Sequence, residues 1–155
     1  MESAPAGSGE DPFSVFRPKR ARIVATVGGV LAILIFTIGA VIVPLANWNS
    51  PDRVLFASIG YAIATLFYRY ATIRAVPTRE GVTVRNLILT RYLEWPQIVG
   101  IQFGDGTPWV HLDLHDGDTL SVMAIQRADG PFAHRQASRL AALIQALGSA
   151  PDRDG

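Results

Sequence analysis

The chain has 155 residues, about the size of one domain, and a formal net charge of +1, which excludes a strongly basic nucleic-acid-binding protein. The absence of cysteine excludes disulfide bonds, thiolate zinc sites and a cysteine nucleophile. Apolar residues are concentrated in the first half of the sequence, so we expect a membrane segment followed by one small soluble domain.

Residues 1–22 combine a polar stretch with a basic cluster. Residues 1–16 are rich in Gly, Ser, Pro, Ala and acidic side chains, a composition that cannot bury a core, so we expect residues 1–22 to be a disordered tail. The basic cluster comprises Arg17, Lys19, Arg20 and Arg22. Such clusters are retained on the cytoplasmic side of a membrane and are attracted to anionic headgroups. The cluster therefore indicates topology, with a regulatory lipid-binding arm as the alternative.

Two apolar segments predict a transmembrane hairpin over residues 23–73. Residues 23–46 contain no charge and would extend roughly 36 Å as a helix, enough for a bilayer core of about 30 Å. A signal peptide is the alternative, although its apolar region usually has only about 7–15 residues. Residues 54–73 carry a single charge, Arg69, which can reach toward the headgroups. They predict a second span, with a re-entrant or interfacial segment as the alternative.

The flanking charges predict the orientation of this hairpin. The turn between the segments has only Arg53, next to Asp52, whereas basic residues are numerous before the first span and after the second. The positive-inside rule then places both termini in the cytoplasm. We therefore expect a multi-pass protein of the cell membrane, with residues 74–148 as a cytoplasmic domain and residues 149–155 as a disordered tail. Small residues four apart, such as Ala25 with Gly29 and Gly60 with Ala64, would let the two helices approach closely.

From residue 71 the sequence changes to short β-rich runs separated by turn residues. Six strands are predicted, at residues 71–77, 82–87, 89–95, 98–103, 109–115 and 119–125. A helix follows, with cap-type residues and a Pro near its first position at Asp129, Gly130 and Pro131, and with Gly148 at its end. The predicted fold class is α+β: an N-terminal two-helix transmembrane hairpin, then an antiparallel sheet or partial barrel capped by a C-terminal helix.

Two apolar segments, then GVTVRNLILTRYLEWPQIVGIQF, PWVHLDLHDGDTL and a C-terminal helix, resemble the actinobacterial PH-like membrane proteins of the low-molecular-weight protein antigen 6 type. The resemblance covers residues 17–148, and residues 81–99 are its most specific part. It implies a PH-like fold and a largely unknown function. A full PH domain has seven strands, whereas six are predicted here.

The resemblance raises the question of inositide binding, which in many PH domains depends on several Lys and Arg residues around the first hairpin. Here that hairpin carries Arg74, Arg79 and Arg85, with Glu80 among them and no Lys. Fold does not by itself carry function, so specific inositide binding is not expected. Less specific contacts with anionic membrane lipids are expected from Arg17, Lys19, Arg20, Arg22, Arg69 and Arg74.

His111, Asp113 and His115 would share one face of the fifth strand, because residues two apart in a strand point the same way. Two imidazoles and a carboxylate can bind zinc, yet such neighbours stand about 6.5–7 Å apart. A solvated polar face is therefore favoured, with a metal site as the alternative. Ser121 and Ser138 have no base that the sequence identifies. We expect no enzymatic activity and no cofactor.

Trp109 follows a Gly-rich loop and begins a predicted strand. A buried Trp109 would support the core, which is the favoured interpretation, whereas an exposed one would suit contact with a partner peptide or with the membrane. The leading functional hypothesis is a non-enzymatic protein-interaction or scaffold module at the cytoplasmic face of the membrane, which binds an unknown protein or a second copy of itself. Lipid-headgroup sensing by the juxtamembrane arginines is the alternative, followed by metal-dependent chemistry at His111, Asp113 and His115.

Overall fold

The computed structural model describes residues 11–43 and 48–149. Two long helices come first, α1 (Lys19–Ile42) and α2 (Ser50–Ala71). By length and composition both could cross a membrane, and only 17% and 6% of their most apolar windows are buried. A core helix of a soluble protein would be mostly buried, so these helices present apolar surface that the rest of the described chain leaves uncovered. Residues 44–47, where the first span was expected to end, lie outside the described residues.

Both helices begin four residues before the expected spans, and α2 does so because of a local capping motif. The side chain of Asn49 accepts a hydrogen bond from the Asp52 amide at 3.0 Å, and the Asp52 carboxylate accepts one from the Asn49 amide at 3.2 Å. Because of this capping box, residues 50–53, which were expected to belong to the turn between the spans, form the first turn of α2. Arg53 donates to the carbonyls of Ala40 (2.5 Å) and Val41 (3.3 Å), so the only basic residue near the turn caps the end of α1.

The helices pack against each other through small residues, as the sequence predicts. The buried ones are Ala25, Gly29, Ala32, Ala40, Gly60 and Ala64. A Cβ atom at Gly60 would lie 2.3 Å from the Cβ of Phe36, and one at Gly28 would lie 2.8 Å from the ring of Phe67. The glycines therefore admit large aromatic side chains from the opposite helix.

The β-rich part forms two three-stranded antiparallel sheets. The first contains β1 (Arg74–Pro77), β2 (Gly81–Arg85) and β3 (Thr90–Glu94); the second contains β4 (Ile98–Gln102), β5 (Trp109–Leu114) and β6 (Thr119–Gln126). A 3-10 turn at Trp95–Gln97 connects the sheets. The predicted fold class is confirmed, with two sheets in place of one continuous sheet and without closure into a barrel.

The core lies between the two sheets and the C-terminal helix, α3 (Pro131–Gly148). On β5 the buried Val110, Leu112 and Leu114 alternate with half-buried residues, as expected for a strand with one core face. Trp95 is fully buried and its indole donates a hydrogen bond to the Thr78 carbonyl at 3.0 Å. This bond satisfies the one polar group of the ring inside the core.

The described part of the N-terminal tail is ordered, which corrects the expectation of disorder over residues 11–22; residues 1–10 and 150–155 lie outside the described residues. Phe16 is fully buried, and it exchanges two backbone hydrogen bonds with Ala75 at 2.9 and 3.0 Å. The guanidinium of Arg139 lies 4.0 Å from the Phe16 ring centroid and donates to the Ser14 carbonyl. An aromatic residue and an open strand edge thus order a segment whose average composition is polar.

Candidate anion-binding site

Four arginines from three parts of the chain meet where the helical hairpin joins the two sheets. They line a concave pocket of about 230 Å³, whose other residues include Tyr68 and Thr72 at the end of α2. We call this feature the arginine pocket and define it by Arg17, Arg22, Arg74 and Arg85. Arg17 precedes α1, Arg22 lies in its first turns, and the other two lie on β1 and β2. The pocket therefore depends on the hairpin and the sheet together.

No acidic side chain of the described residues forms an ion pair with the arginines of this pocket. Arg74 and Arg85 are directly opposite each other in the register of β1 and β2. Like charges directly opposite in an antiparallel pair are destabilising. Arg91 and Arg127 form ion pairs on the surface, whereas none of the four pocket arginines forms one with a described residue. Such a cluster of guanidinium groups is suited to bind phosphate or carboxylate oxygens.

A larger hollow, of about 510 Å³, adjoins the arginine pocket and shares Arg17 and Arg22 with it. It lies between the beginning of α1 and one face of α3. The ammonium of Lys19 sits 4.0 Å from the centroid of the Phe132 ring, a cation–π contact that holds the lysine at the edge of this hollow. The basic surface therefore extends from β1 across the start of α1 toward α3.

Asp129 fixes the position of α1 relative to the domain formed by the two sheets and α3. Its carboxylate oxygens accept hydrogen bonds from the backbone amides of Lys19 and Arg20, both at 2.9 Å. These amides belong to the first turn of α1, whose N-cap residue, Pro18, makes no side-chain cap. A negative charge also complements the positive end of the helix dipole, where the basic cluster would otherwise be unfavourable. Of the cap-type residues predicted before α3, Gly130 is its N-cap, no side chain caps the helix, and Asp129 caps α1 instead.

The six residues that were predicted to contact lipid headgroups lie in different surroundings. Arg17, Arg22 and Arg74 line the arginine pocket, and Lys19 lies in the adjoining hollow. Arg20 is exposed. Arg69 donates from Nε to the Leu87 carbonyl at 3.0 Å, so its side chain connects α2 to the turn between β2 and β3.

Arg85 is not among the residues predicted to contact headgroups, although the strand register indicates its place beside Arg74. The turn at residues 78–81 pairs Pro77 with Val82, and counting outward from that pair places Arg74 opposite Arg85. The sequence gives no comparable indication that Asp129 caps α1, because the two amides that it binds are 109 and 110 residues away along the chain.

The residues of the alternative metal site do not come together as a ligand set. His111 Nδ1 lies 3.1 Å from Ser121 Oγ, which gives that serine a neighbouring base that the sequence did not identify. Asp113 accepts a hydrogen bond from Gln102 at 2.7 Å. β5 ends at Leu114, so His115 is in the following turn and exposed. Among the described residues, no group of three His, Asp or Glu side chains could hold a metal ion.

Trp109 is half-buried, between the two alternatives that the sequence left open. Its indole Nε1 is buried and has no hydrogen-bond partner among the described residues. A buried donor without a partner costs about 1–3 kcal/mol. Trp109 therefore contributes apolar contact area, while its unpaired N–H is destabilising.

The fold defines the class of this protein: a small PH-like domain preceded by a hairpin of two long apolar helices. The model of the family described as "Bacterial PH domain" matches residues 73–142. Low molecular weight protein antigen 6 of Mycobacterium tuberculosis is 30% identical over 102 residues, which cover 64% of this chain and 83% of that protein. An uncharacterized protein of the same species is 31% identical over 106 residues, 68% of this chain and 65% of the relative.

The chain belongs to the bacterial PH domain family, in the group of actinobacterial PH-like proteins that includes low molecular weight protein antigen 6. It matches about two thirds of the length of its uncharacterized mycobacterial relatives, at 65%. No solved structure matches the chain. Neither the family description nor the names of these relatives specify an enzymatic activity.

Proposed function

We propose that this protein is anchored in the cytoplasmic membrane by α1 and α2, and that its PH-like domain binds the anionic headgroups of membrane lipids in the arginine pocket. It acts by binding and not by catalysis. The observation that carries the proposal is the cross-strand pair of Arg74 and Arg85, joined by Arg17 and Arg22 and without an acidic partner among the described residues.

The location of the arginine pocket supports lipid as the source of the anion. Tyr68, Ala71 and Thr72, which line the pocket, belong to the last turn of α2 and the residue after it. If α2 spans the bilayer, this end of the helix lies at the level of the headgroups. A basic residue near an anionic leaflet gains about 1 kcal/mol from the surface potential, so four of them favour anionic over zwitterionic lipid.

Lipid retention by the full-length protein tests this proposal. The protein in detergent would be offered phosphatidylglycerol and phosphatidylcholine, and native mass spectrometry would count the bound lipids. The wild type should retain phosphatidylglycerol preferentially. The double variant Arg74→Gln/Arg85→Gln should reduce this preference by roughly tenfold or more, since about 1 kcal/mol is lost per arginine.

The matched control removes two positive charges elsewhere. Arg79 lies in the turn at the opposite end of the β1–β2 hairpin, and Arg127 pairs with Asp105 on the surface. Arg79→Gln/Arg127→Gln should keep the preference for phosphatidylglycerol. Equal retention by both double variants would show that only net charge matters and would contradict a site at the arginine pocket.

A second candidate function is the binding of a protein partner or a second copy at open strand edges. β3 and β4 each pair with only one strand in the part of the chain that the structure describes. Tyr92 on β3 and Val99 on β4 are exposed, at 49% and 65%. Unpaired edges with exposed apolar side chains are suited to β-strand addition.

Photocrosslinking from the native membrane tests this second candidate. A photoreactive residue at Val99 should trap a defined partner, whereas the same residue at Glu80, on an exposed turn of the other sheet, should not. Crosslinks to a second copy from Val99 would indicate self-association. If no crosslink is specific to Val99, the second candidate function is contradicted and lipid binding remains the proposed function of this domain.

A further inference from the structure

The turn between β2 and β3, residues 86–89, has an unusual aliphatic tip. Ile88 is 85% exposed and Leu89 is 56% exposed. The value for Ile88 exceeds that of every large apolar side chain on the described parts of α1 and α2, where the maximum is 72% at Val41. Turns between strands usually use Gly, Pro, Asn, Asp or Ser. This one follows Asn86 with three aliphatic residues in succession.

Hydrogen bonds hold the base of this turn against β6, so its tip projects from the surface and does not fold back onto the domain. The Asn86 side chain donates to the Ser121 carbonyl at 2.7 Å and accepts from the Met123 amide at 3.1 Å, both on β6. The Asn86 amide donates to the Leu89 carbonyl at 2.9 Å. β6 therefore holds Asn86, the bond from Asn86 to Leu89 closes the turn, and Ile88 is left outside.

The same turn lies against the final part of α2. Arg69 donates to the Leu87 carbonyl at 3.0 Å. The Leu87 side chain closes an open apolar groove of about 370 Å³ with Ile63, Leu66, Phe67 and Tyr70. Ile63 is eight residues from the end of α2, or roughly 12 Å along a helix axis. The turn thus lies level with the last two turns of the helix.

We propose that Leu87, Ile88 and Leu89 form a wedge that inserts into the membrane surface beside α2, where lipid acyl chains cover Ile88 and Leu89 and occupy the adjoining groove. This inference rests on the proposed function, because it requires α2 to span the bilayer. Two observations favour lipid over a protein as the occupant. The wedge continues the exposed apolar surface of α2, and Arg69 and Arg85 flank it at the position where headgroups would lie.

The wedge gives the domain a membrane contact in addition to its connection through α2. Two separate contacts fix the tilt of a domain on a surface, whereas one allows rotation. Arg85 immediately precedes the wedge in sequence and belongs to the arginine pocket. Insertion of Ile88 would therefore hold that pocket against the headgroups.

Single-cysteine labelling of the full-length protein tests the wedge, since the chain has no cysteine of its own. An environment-sensitive fluorophore would be placed at Ile88→Cys, with the protein in vesicles of phosphatidylcholine and phosphatidylglycerol. Glu80→Cys, in the turn at the other end of β2, is the aqueous control, and Leu66→Cys on α2 is the control for the bilayer interior. Quenching would be compared for brominated acyl chains and for aqueous iodide.

We expect the fluorophore at Ile88 to emit at shorter wavelength than that at Glu80, to be quenched by brominated lipid and to be protected from iodide, as at Leu66. If Leu66 is within the lipid but Ile88 responds like Glu80, the wedge is wrong and the membrane anchor stands. Protection of Ile88 from both quenchers would indicate a protein cover and would also overturn the wedge. If Leu66 itself is quenched by iodide, α2 does not span and the proposed function fails with it.

Discussion

Asp129 lies next to α3 in the sequence but stabilises the start of α1. It stands two residues before α3, yet its carboxylate binds the first two amides of α1. It is mostly buried, at 9% exposure, and therefore holds the start of the first apolar helix against the domain that follows the second. One side chain thus joins the hairpin to the PH-like fold.

Asp129→Ala should lower the free energy of unfolding of the full-length protein by about 0.5–2 kcal/mol, the usual cost of losing a helix cap. Asp129→Asn, which keeps one acceptor oxygen without the charge, should have a smaller effect. Thermal unfolding in detergent measures both, and hydrogen exchange should become faster at the amides of Lys19 and Arg20. Glu80→Ala is the control, because its exposed carboxylate makes no contact of this kind among the described residues. Equal stability of Asp129→Ala and Glu80→Ala would contradict the docking role.

The helical hairpin shows how far pattern alone can predict an element. Long apolar segments, the second of them with a single charge, identified both helices, and the spacing of small residues identified the packing faces. The aromatic partners, Phe36 and Phe67, were not predictable, because the residue that fills a glycine gap depends on the rotation and shift of both helices. The start of α2 was hidden because Asn49 and Asp52 are common in loops as well as in capping boxes.

Gly60→Leu should disrupt the hairpin, because even the first carbon of the new side chain would lie 2.3 Å from the Cβ of Phe36. Overpacking of this kind costs about 1–3 kcal/mol. Ala62→Leu, on the exposed side of the same helix, is the matched control and should be close to neutral. Thermal unfolding in detergent compares the two variants; equal melting temperatures would contradict the observed packing of α1 against α2.

At the scale of the sheets, the alternation of apolar and polar residues along two strands matches the side chains that are buried. The buried faces of β2 and β5 agree with it, because one side of each strand meets the core and the other meets water. The arginine pocket was only partly predictable: three of its members were expected near headgroups, but their convergence depends on strand register and on how α1 docks. The burial of Phe16 was not predicted, because the average composition of a segment does not show that one aromatic residue in it can pack into the core.

For the molecule as a whole, the segment before α1 and the sheets after α2 form one folded unit. Phe16 is part of the core, and its backbone pairs with Ala75. If α1 and α2 both cross the bilayer, this unit lies on one side of it and the turn at Ser50 lies on the other. The excess of basic residues around the unit favours the cytoplasm.

Cysteine accessibility in intact cells tests this topology. A membrane-impermeant thiol reagent should label Ser50→Cys, at the exposed start of α2, without permeabilisation. It should label Glu80→Cys, in the PH-like domain, only after the membrane is opened. Labelling of Glu80→Cys in intact cells would place the domain outside and would contradict the orientation, whereas labelling of neither site before permeabilisation would contradict two complete spans.

The central claim is that the arginine pocket contacts lipid phosphate, and solid-state NMR of the full-length protein in phosphatidylglycerol-containing bilayers tests it most directly. Dephasing of arginine guanidinium signals by lipid phosphorus-31 reports whether the two groups are in contact. We expect dephased signals in the wild type that disappear in Arg74→Gln/Arg85→Gln and persist in Arg79→Gln/Arg127→Gln. Guanidinium signals that show no dephasing dependent on Arg74 and Arg85 would contradict the claim.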